Sequence, residues 1–174
     1  MKKGRVVLLT FIIIFTILSI YIPKVYGGPA THFQVIVPST AKIGVPFNIT
    51  IKALDANNLV DPTYTGTIDI TLNSSYGISI ASSTPALPYT FVPGDAGIKT
   101  FSITLSGTNV PVPWVTSTFT ATDTTFPSIT GTSSGFQVTG GNPSIFTINL
   151  SSLSVTAGDY LTFTVIVKDG WNNI

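Results

Sequence analysis

A serine of this chain stands in a pattern that some hydrolases use for their nucleophile. The stretch Gly131-Thr132-Ser133-Ser134-Gly135 has the G-x-S-x-G spacing of a serine on a sharp strand-to-helix turn. Here it lies between two runs of β-type residues, and the single histidine, His32, falls at the start of the first predicted strand. The chain has no glutamate, and its aspartates end strands or sit in turns, so no carboxylate pair for glycoside hydrolysis is evident. The residues predict a hairpin tip at Gly131–Gly135 and a protein that is not an enzyme.

Oxygen ligands for a metal ion occur together in one predicted loop. Asp55, Asn57 and Asp61 offer the carboxylate and amide oxygens that Ca²⁺ prefers. The calcium loop of EF-hand proteins needs a glycine where Val60 stands and a closing glutamate where Gly66 stands. Two interpretations stay open: a calcium site of another type, and a turn whose Asp and Asn side chains bond to their own backbone. No other cofactor is predicted.

Three asparagines, Asn48, Asn73 and Asn149, lie in the Asn-x-Ser/Thr pattern that accepts N-linked glycans. Strand alternation places Asn48 and Asn149 on outward faces, so the pattern predicts glycosylation in a host that has the enzymes. The alternative is a chance pattern in a chain rich in Asn, Ser and Thr. Trp114 and Trp171 are each the single tryptophan of a predicted unit, which favours packing in a core or interface over a sugar-stacking face.

The elements that would position these residues are β-strands. Apolar and polar residues alternate at Phe47–Ala53, Ile68–Leu72, Phe101–Leu105 and Val115–Thr122, as strands with one buried side require. Shorter strands are predicted at His32–Val37, Ile78–Ile80, Tyr89–Phe91, Ser128–Thr130 and Phe136–Thr139. Pro93–Gly97 is the clearest predicted hairpin connection, because proline fixes a turn φ and glycine accepts a positive φ. The spacing predicts an all-β fold, a two-sheet antiparallel sandwich of roughly seven to nine short strands.

The N-terminus has the three-part pattern of a secretion leader. Basic residues precede an unbroken apolar stretch, Val6 to Ile22, that stops at Pro23. The pattern predicts a signal peptide with an apolar helix over residues 1–27 and cleavage before Gly28. The alternatives are retention of this helix as an anchor, which is the one membrane contact the sequence predicts, and pilin-type processing after Gly4.

The composition excludes some partners and linkages. Only 9% of the residues are charged, whereas a soluble domain averages about 25%. Without the leader, four scattered lysines stand against seven aspartates, a net charge of about −3, which argues against a nucleic-acid partner. There is no cysteine and hence no disulfide. The roughly 147 residues after the leader are enough for a core of their own.

The end of the chain repeats its beginning. At an offset of 114 residues the matched pairs are Gly44 and Gly158, Phe47 and Leu161, Ile49 and Phe163, Ile51 and Val165, Asp55 and Asp169, Asn58 and Asn172, and Val60 and Ile174. The pattern predicts one repeat unit over 28–141 and the first two strands of a second unit over 142–174, with Gly140–Pro143 as a hinge. Since two strands alone cannot bury an apolar side, we expect the natural protein to continue beyond Ile174.

Segments spread over the whole predicted unit resemble a known family. They are Ala41–Phe47, Ala53–Asn58, Tyr64–Ile68, Tyr89–Phe91, Asp95–Gly97, Phe101–Leu105, Ala121–Thr124 and Ile129–Thr132. The chain resembles the immunoglobulin-like repeats of large bacterial and archaeal surface proteins, the invasin and intimin type among them. One departure is that the usual Gly-Asn after the second strand is Asn58-Leu59, whereas Asn172-Asn173 is closer to the pattern.

The resemblance implies an immunoglobulin-like β-sandwich in a secreted or cell-surface protein. The implied role is non-enzymatic: a stalk, a surface-array module or an adhesive repeat. The implied partners are neighbouring repeats of the same chain and a host-cell or envelope surface protein or glycan. Because a fold does not fix a function, two alternatives stay open, an ancillary module of a large secreted hydrolase and a carbohydrate-binding module.

Overall fold

The described residues fold as β-strands and loops, with one 3₁₀ turn at Pro93–Asp95. The structure is a computed structural model and describes residues 27–108, 110, 114–152 and 154–174. The predicted leader, residues 1–27, lies outside the described residues except for Gly27. Within those ranges, no helix has the length and apolarity needed to cross a membrane.

The strands form two layers and a separate hairpin. In chain order they are β1 (His32–Ile36), β2 (Thr40–Lys42), β3 (Phe47–Leu54), β4 (Thr67–Asn73), β5 (Ser79–Thr84), β6 (Tyr89–Thr90), β7 (Ile98–Ser106), β8 (Val115–Asp123), β9 (Thr130–Thr132), β10 (Phe136–Thr139), β11 (Pro143–Leu150) and β12 (Phe163–Asp169). One sheet has the order β1-β3-β7-β5, and the other has the order β2-β10-β8-β4-β6, with β9 paired to β8. The predicted all-β sandwich is confirmed.

The start of the first unit is divided between the two layers: β1 lies within the predicted strand His32–Val37, and β2 follows as a strand that the sequence analysis does not predict. β1 pairs with β3 in one sheet, while β2 runs parallel to β10 in the other. Pro38 lies between β1 and β2, and a proline has no N–H to donate to a continuing ladder. The division adds a short strand and one parallel pair to a fold that the sequence predicts as purely antiparallel. It brings the first unit to ten strands among the described residues, β1 to β10.

The connection at Pro93–Gly97 is not a hairpin, so that interpretation is wrong. β6 pairs with β4 in one sheet, whereas β7 lies between β3 and β5 in the other. The segment therefore carries the chain from one layer to the other. The Asp95 carboxylate holds it by accepting hydrogen bonds from the Val92 amide, the Tyr89 hydroxyl and the Lys99 ammonium group.

The core fills the space between the two sheets. Val115 and Phe119 of β8 point into it, and the threonines between them point outward, as the alternation predicts. The Phe119 ring is fully buried and stacks on Phe136, with 5.2 Å between ring centroids. Burial of each such side chain stabilises the fold by about 1.5–3 kcal/mol, so the facing layers hold the sandwich together.

The hairpin β11–β12 repeats the pairing of β1 with β3. Phe33 pairs with Ala53 in the first unit, and Phe146 pairs with Val167 in the hairpin. All residues of β11 are exposed, in contrast to the alternating burial of β1. The division of the chain between residues 141 and 142 stays a prediction.

Candidate functional site

Ser133 and His32 make local hydrogen bonds that do not join them to each other. The Ser133 hydroxyl accepts a hydrogen bond from the Phe119 amide and donates one to the carbonyl of the next residue. The His32 ring bonds to the Asn58 side chain and to the hydroxyl of the preceding threonine. The stretch around Ser133 links β9 to β10, which both pair with β8, so the hairpin-tip interpretation of Gly131–Gly135 is also wrong. These bonds do not assemble a nucleophile with a base.

The predicted calcium loop contains a turn built around Asp55. We call residues 55–59 the first loop. Asp55 Oδ1 accepts hydrogen bonds from the amides of Asn57 (2.8 Å) and Leu59 (2.9 Å), and Oδ2 accepts one from the Gly28 amide (2.8 Å). The amides of Gly28 and Leu59 hold the pKa of Asp55 below its ordinary value, because they stabilise the charged carboxylate.

Asp61 accepts hydrogen bonds at the same end of the first unit. Its Oδ1 accepts hydrogen bonds from the amide and hydroxyl groups of Thr63, and its Oδ2 accepts one from the Ala30 amide. Among the described residues, no group of three or more His, Cys, Asp or Glu side chains is placed to hold a metal ion. The bonds around Asp55 and Asp61 are those of the turn interpretation, and calcium binding with Asn57 stays a prediction.

The same loop is built again after β12, at residues 169–173, which we call the second loop. Asp169 Oδ1 accepts hydrogen bonds from the amides of Trp171 (2.8 Å) and Asn173 (2.9 Å), and Oδ2 accepts one from the Gly141 amide. Asn172 has a φ of 68°, where the matched residue of the first loop has a φ of 62°. The two loops therefore share their backbone conformation and their central carboxylate.

The side chain of Asn173 joins the second loop to the first unit. It is 3% exposed. Its nitrogen donates to the Gly107 carbonyl (3.0 Å) and to Asp169 Oδ2 (2.8 Å), and its oxygen accepts from the Val110 amide (2.7 Å). Burial raises the pKa of Asp169, but the hydrogen bonds from Asn173, Gly141 and Trp171 outweigh it and hold that pKa below its ordinary value.

Two glycines allow this close approach. The Trp171 ring lies against Gly44, and a Cβ at Gly44 would overlap that ring. A Cβ at Gly141 would lie 2.7 Å from Asp169 Oδ2 and 3.0 Å from the Ile43 carbonyl oxygen. We call this contact region the junction: the second loop together with Gly44, Gly107, Val110 and Gly141. Sequence reasoning missed the junction, although the offset of 114 residues and the pair Asn172-Asn173 were signals of it.

A cleft of about 710 Å³ opens beside the junction, between β12 and the end of the first unit. Lys42 and Lys168 line it, and each donates a hydrogen bond to an asparagine side chain, Asn142 and Asn172 respectively. The cleft lies where β12 approaches the end of β10.

The glycosylation candidates Asn48, Asn73 and Asn149 are all exposed on strands, so no described residue covers the acceptor amides. Glycan attachment stays a prediction. Trp114 is 48% exposed, whereas Trp171 is packed at the junction. The packed position predicted for both tryptophans is therefore found at Trp171 and is wrong for Trp114 among the described residues.

Comparison with solved structures identifies the fold. The Escherichia coli adhesin FdeC matches with a TM-score of 0.53 and 16% identity, over 83% of this chain and 43% of that one. A PKD domain of an M14-like peptidase from Thermoplasmatales archaeon SCGC AB-540-F20 matches with a TM-score of 0.32 and 19% identity, over 67% of this chain and 99% of that one. No family model and no curated protein matches the chain. The chain spans less than half of the FdeC chain, and its fold is an immunoglobulin-like β-sandwich.

Proposed function

We propose that the chain belongs to a secreted or cell-surface protein whose immunoglobulin-like repeats are structural and adhesive and catalyse no reaction. The repeats form a stalk or a surface array, and the outer partner is an envelope or host-cell surface protein or glycan. One observation carries the proposal: the pairing of β1 with β3 and the first loop recur as β11–β12 and the second loop. Recurrence of one unit along a chain is how repeat proteins build extended shapes and binding surfaces.

The use of the buried carboxylates supports a structural role. Asp55, Asp61, Asp123 and Asp169 are each at most 5% exposed, and each accepts hydrogen bonds from backbone amides. Asp123 also accepts a hydrogen bond from the buried Tyr64 hydroxyl (2.6 Å). No buried side-chain nitrogen or oxygen of the described residues lacks a partner. Carboxylates paired in this way stabilise turns, which is the work expected of a scaffold.

The contact at Gly28 supports the predicted processing. Cleavage before Gly28 would turn its amide into an α-ammonium group 2.8 Å from the Asp55 carboxylate. An opposite charge at that distance stabilises the charged carboxylate further. The new N-terminus would thus be held by the first loop rather than left free.

The test follows the chain from export to adhesion. The gene is expressed with its leader in a bacterial and in an archaeal host, and the product is located by fractionation and by protease treatment of intact cells. We expect the product outside the cell, and mass spectrometry should show that it begins at Gly28. Beads coated with this product should adhere to isolated envelopes or epithelial cells, and uncoated beads are the control.

Three results would contradict the proposal. They are retention of the product inside the cell, turnover of any substrate in a hydrolase panel, and beads that adhere to no surface. Binding confined to a few sugars on a glycan array would assign a carbohydrate-binding module instead.

A further inference from the structure

The two loops differ in side chains at matched positions, and the difference follows their contacts. Leu59 of the first loop is 38% exposed, whereas Asn173 of the second loop is 3% exposed. Asn57 is exposed, whereas Trp171 packs against the buried core of the first unit. Because the two loops have the same backbone conformation, their different side chains account for the contacts of the second loop with the first unit.

Asn173 satisfies a donor and an acceptor of the first unit with one side chain. The Val110 amide and the Gly107 carbonyl lie three residues apart, and the carboxamide spans both. Its second N–H bonds to Asp169, which fixes the orientation of the group. A buried polar group left unpaired costs its full desolvation, so loss of this side chain affects two backbone groups at once.

The junction has contacts with three separate segments of the chain. Asn173 bonds to residues 107 and 110, Trp171 rests on Gly44, and Asp169 holds the linker through the Gly141 amide. A single tether would allow rotation about itself. Contacts at three separate places restrict that rotation.

We infer that the second loop is a latch that fixes the orientation of one repeat on the preceding repeat, with Asn173 as its determining side chain. The segment Gly140–Pro143 is then a linker of fixed conformation and not a flexible hinge. The inference goes beyond the proposed function, because the latch sets the angle between repeats whatever the outer partner is. The first loop has the same backbone without the latch side chains, since Asn57 and Leu59 stand at the two positions.

The test measures the spread of distances between the two units in the exported chain. The chain has no cysteine, so Thr71→Cys and Thr147→Cys, both at exposed positions, give one pair of nitroxide labels for pulsed electron spin resonance. We expect one narrow distance distribution. Asn173→Leu, which installs the residue of the matched first-loop position, should broaden it and speed amide exchange at Val110 by roughly tenfold. Leu59→Asn is the matched control and should change neither.

A broad distribution in the parent chain would overturn the latch, and so would equal widths in the parent, Asn173→Leu and Trp171→Asn chains. Amide signals of β11 and β12 report whether a variant keeps the hairpin. If a variant loses the hairpin, the width of the distance distribution in the parent chain still tests the latch. A narrow distribution in a protein that adheres to no surface would contradict the proposed function and leave the latch in place.

Discussion

The strand pairs β11–β12 and β1–β3 share an antiparallel arrangement and differ in burial. Phe33, which pairs with Ala53, is 3% exposed, and Phe146, which pairs with the matched residue Val167, is 67% exposed. At an offset of 114 residues, Ile51 is 0% exposed and Val165 is 47% exposed. Both strand pairs have the alternating sequence that favours pairing, but within the part of the chain that the structure describes only β1 and β3 face a second sheet. Strand sequence therefore determines the pairing, and the facing layer provides the burial that stabilises it.

The loops that follow β3 and β12 are similar in burial, in contrast to the strands before them. Asp55 is 5% exposed and Asp169 is 3% exposed, although the strands before them differ widely in burial. Each carboxylate organises the amides of its own loop, and the second loop also packs against the first unit at the junction. The comparison separates what a repeat builds from local sequence from what it gains by packing.

The largest difference between the two units is expected from truncating a phenylalanine. Phe119→Ala removes a ring that is fully buried against Phe47 and Phe136, and should lower the free energy of unfolding by about 3–5 kcal/mol. Phe146→Ala in the exposed hairpin should change it by less than ~0.5 kcal/mol. Urea unfolding followed by circular dichroism measures both. Equal losses would mean that the hairpin is buried as the sandwich is.

A smaller loss is expected from the buried hydroxyl that joins two parts of the first unit. Tyr64→Phe leaves Asp123 Oδ2 without the hydrogen bond it accepts from Tyr64, and should lower the free energy of unfolding by about 1–3 kcal/mol. Tyr76→Phe is the matched control, because Tyr76 is 59% exposed. The same urea unfolding measures both variants. An unchanged Tyr64→Phe protein would show that the pair adds nothing to stability.

The strands could be predicted from the sequence because their signal is local. The predicted runs Phe47–Ala53 and Phe101–Leu105 lie within β3 and β7, since alternation is a property of neighbouring residues. The strand β2 after Pro38 could not be predicted, because its pairing depends on which sheet accepts that segment. The layer that the chain enters after Pro93–Gly97 could not be predicted for the same reason, because turn residues indicate a reversal but not the layer to which the chain goes.

The candidate site shows the same difference between local features, which the sequence predicts, and long-range contacts, which it does not. The turn at Asp55 was among the sequence interpretations, because an aspartate bonds to amides two and four residues away. The contact of Asn173 with Val110 joins residues 63 apart in the chain, and no local pattern encodes it. The offset of 114 residues matches Asn172 to Asn58, but it could not show that the side chain after Asn172 reaches Gly107 and Val110.

Two matched glycines sharpen the comparison at the junction. Gly44 and Gly158 have φ values of 73° and 101°, so alanine at either position meets a cost of roughly 1–2 kcal/mol. A Cβ at Gly44 also overlaps the Trp171 ring, whereas a Cβ at Gly158 meets no atom within 4 Å. In a Trp114→Phe background, Gly44→Ala should shift the emission of Trp171 to the red and Gly158→Ala should not. Equal shifts would mean that the ring does not rest on Gly44.

The smallest expected effect is the acid response of the second loop. Hydrogen bonds hold the pKa of Asp169 below its unfolded value of 3.8, so the stabilisation is present above that pH and is lost as pH falls through the folded pKa. In the Trp114→Phe background, Trp171 emission should stay constant down to about pH 4 and shift to the red in more acidic solution.

Two substitutions assign this acid response to one loop. Asp169→Asn should remove the step, because an amide does not titrate, whereas Asp55→Asn should leave it in place. The first loop has a lowered aspartate pKa of its own, but its carboxylate bonds to Gly28 rather than to the linker between the units. A step that survives Asp169→Asn and disappears with Asp55→Asn would mean that the first unit must open before the junction does, and the two loops would then not be independent.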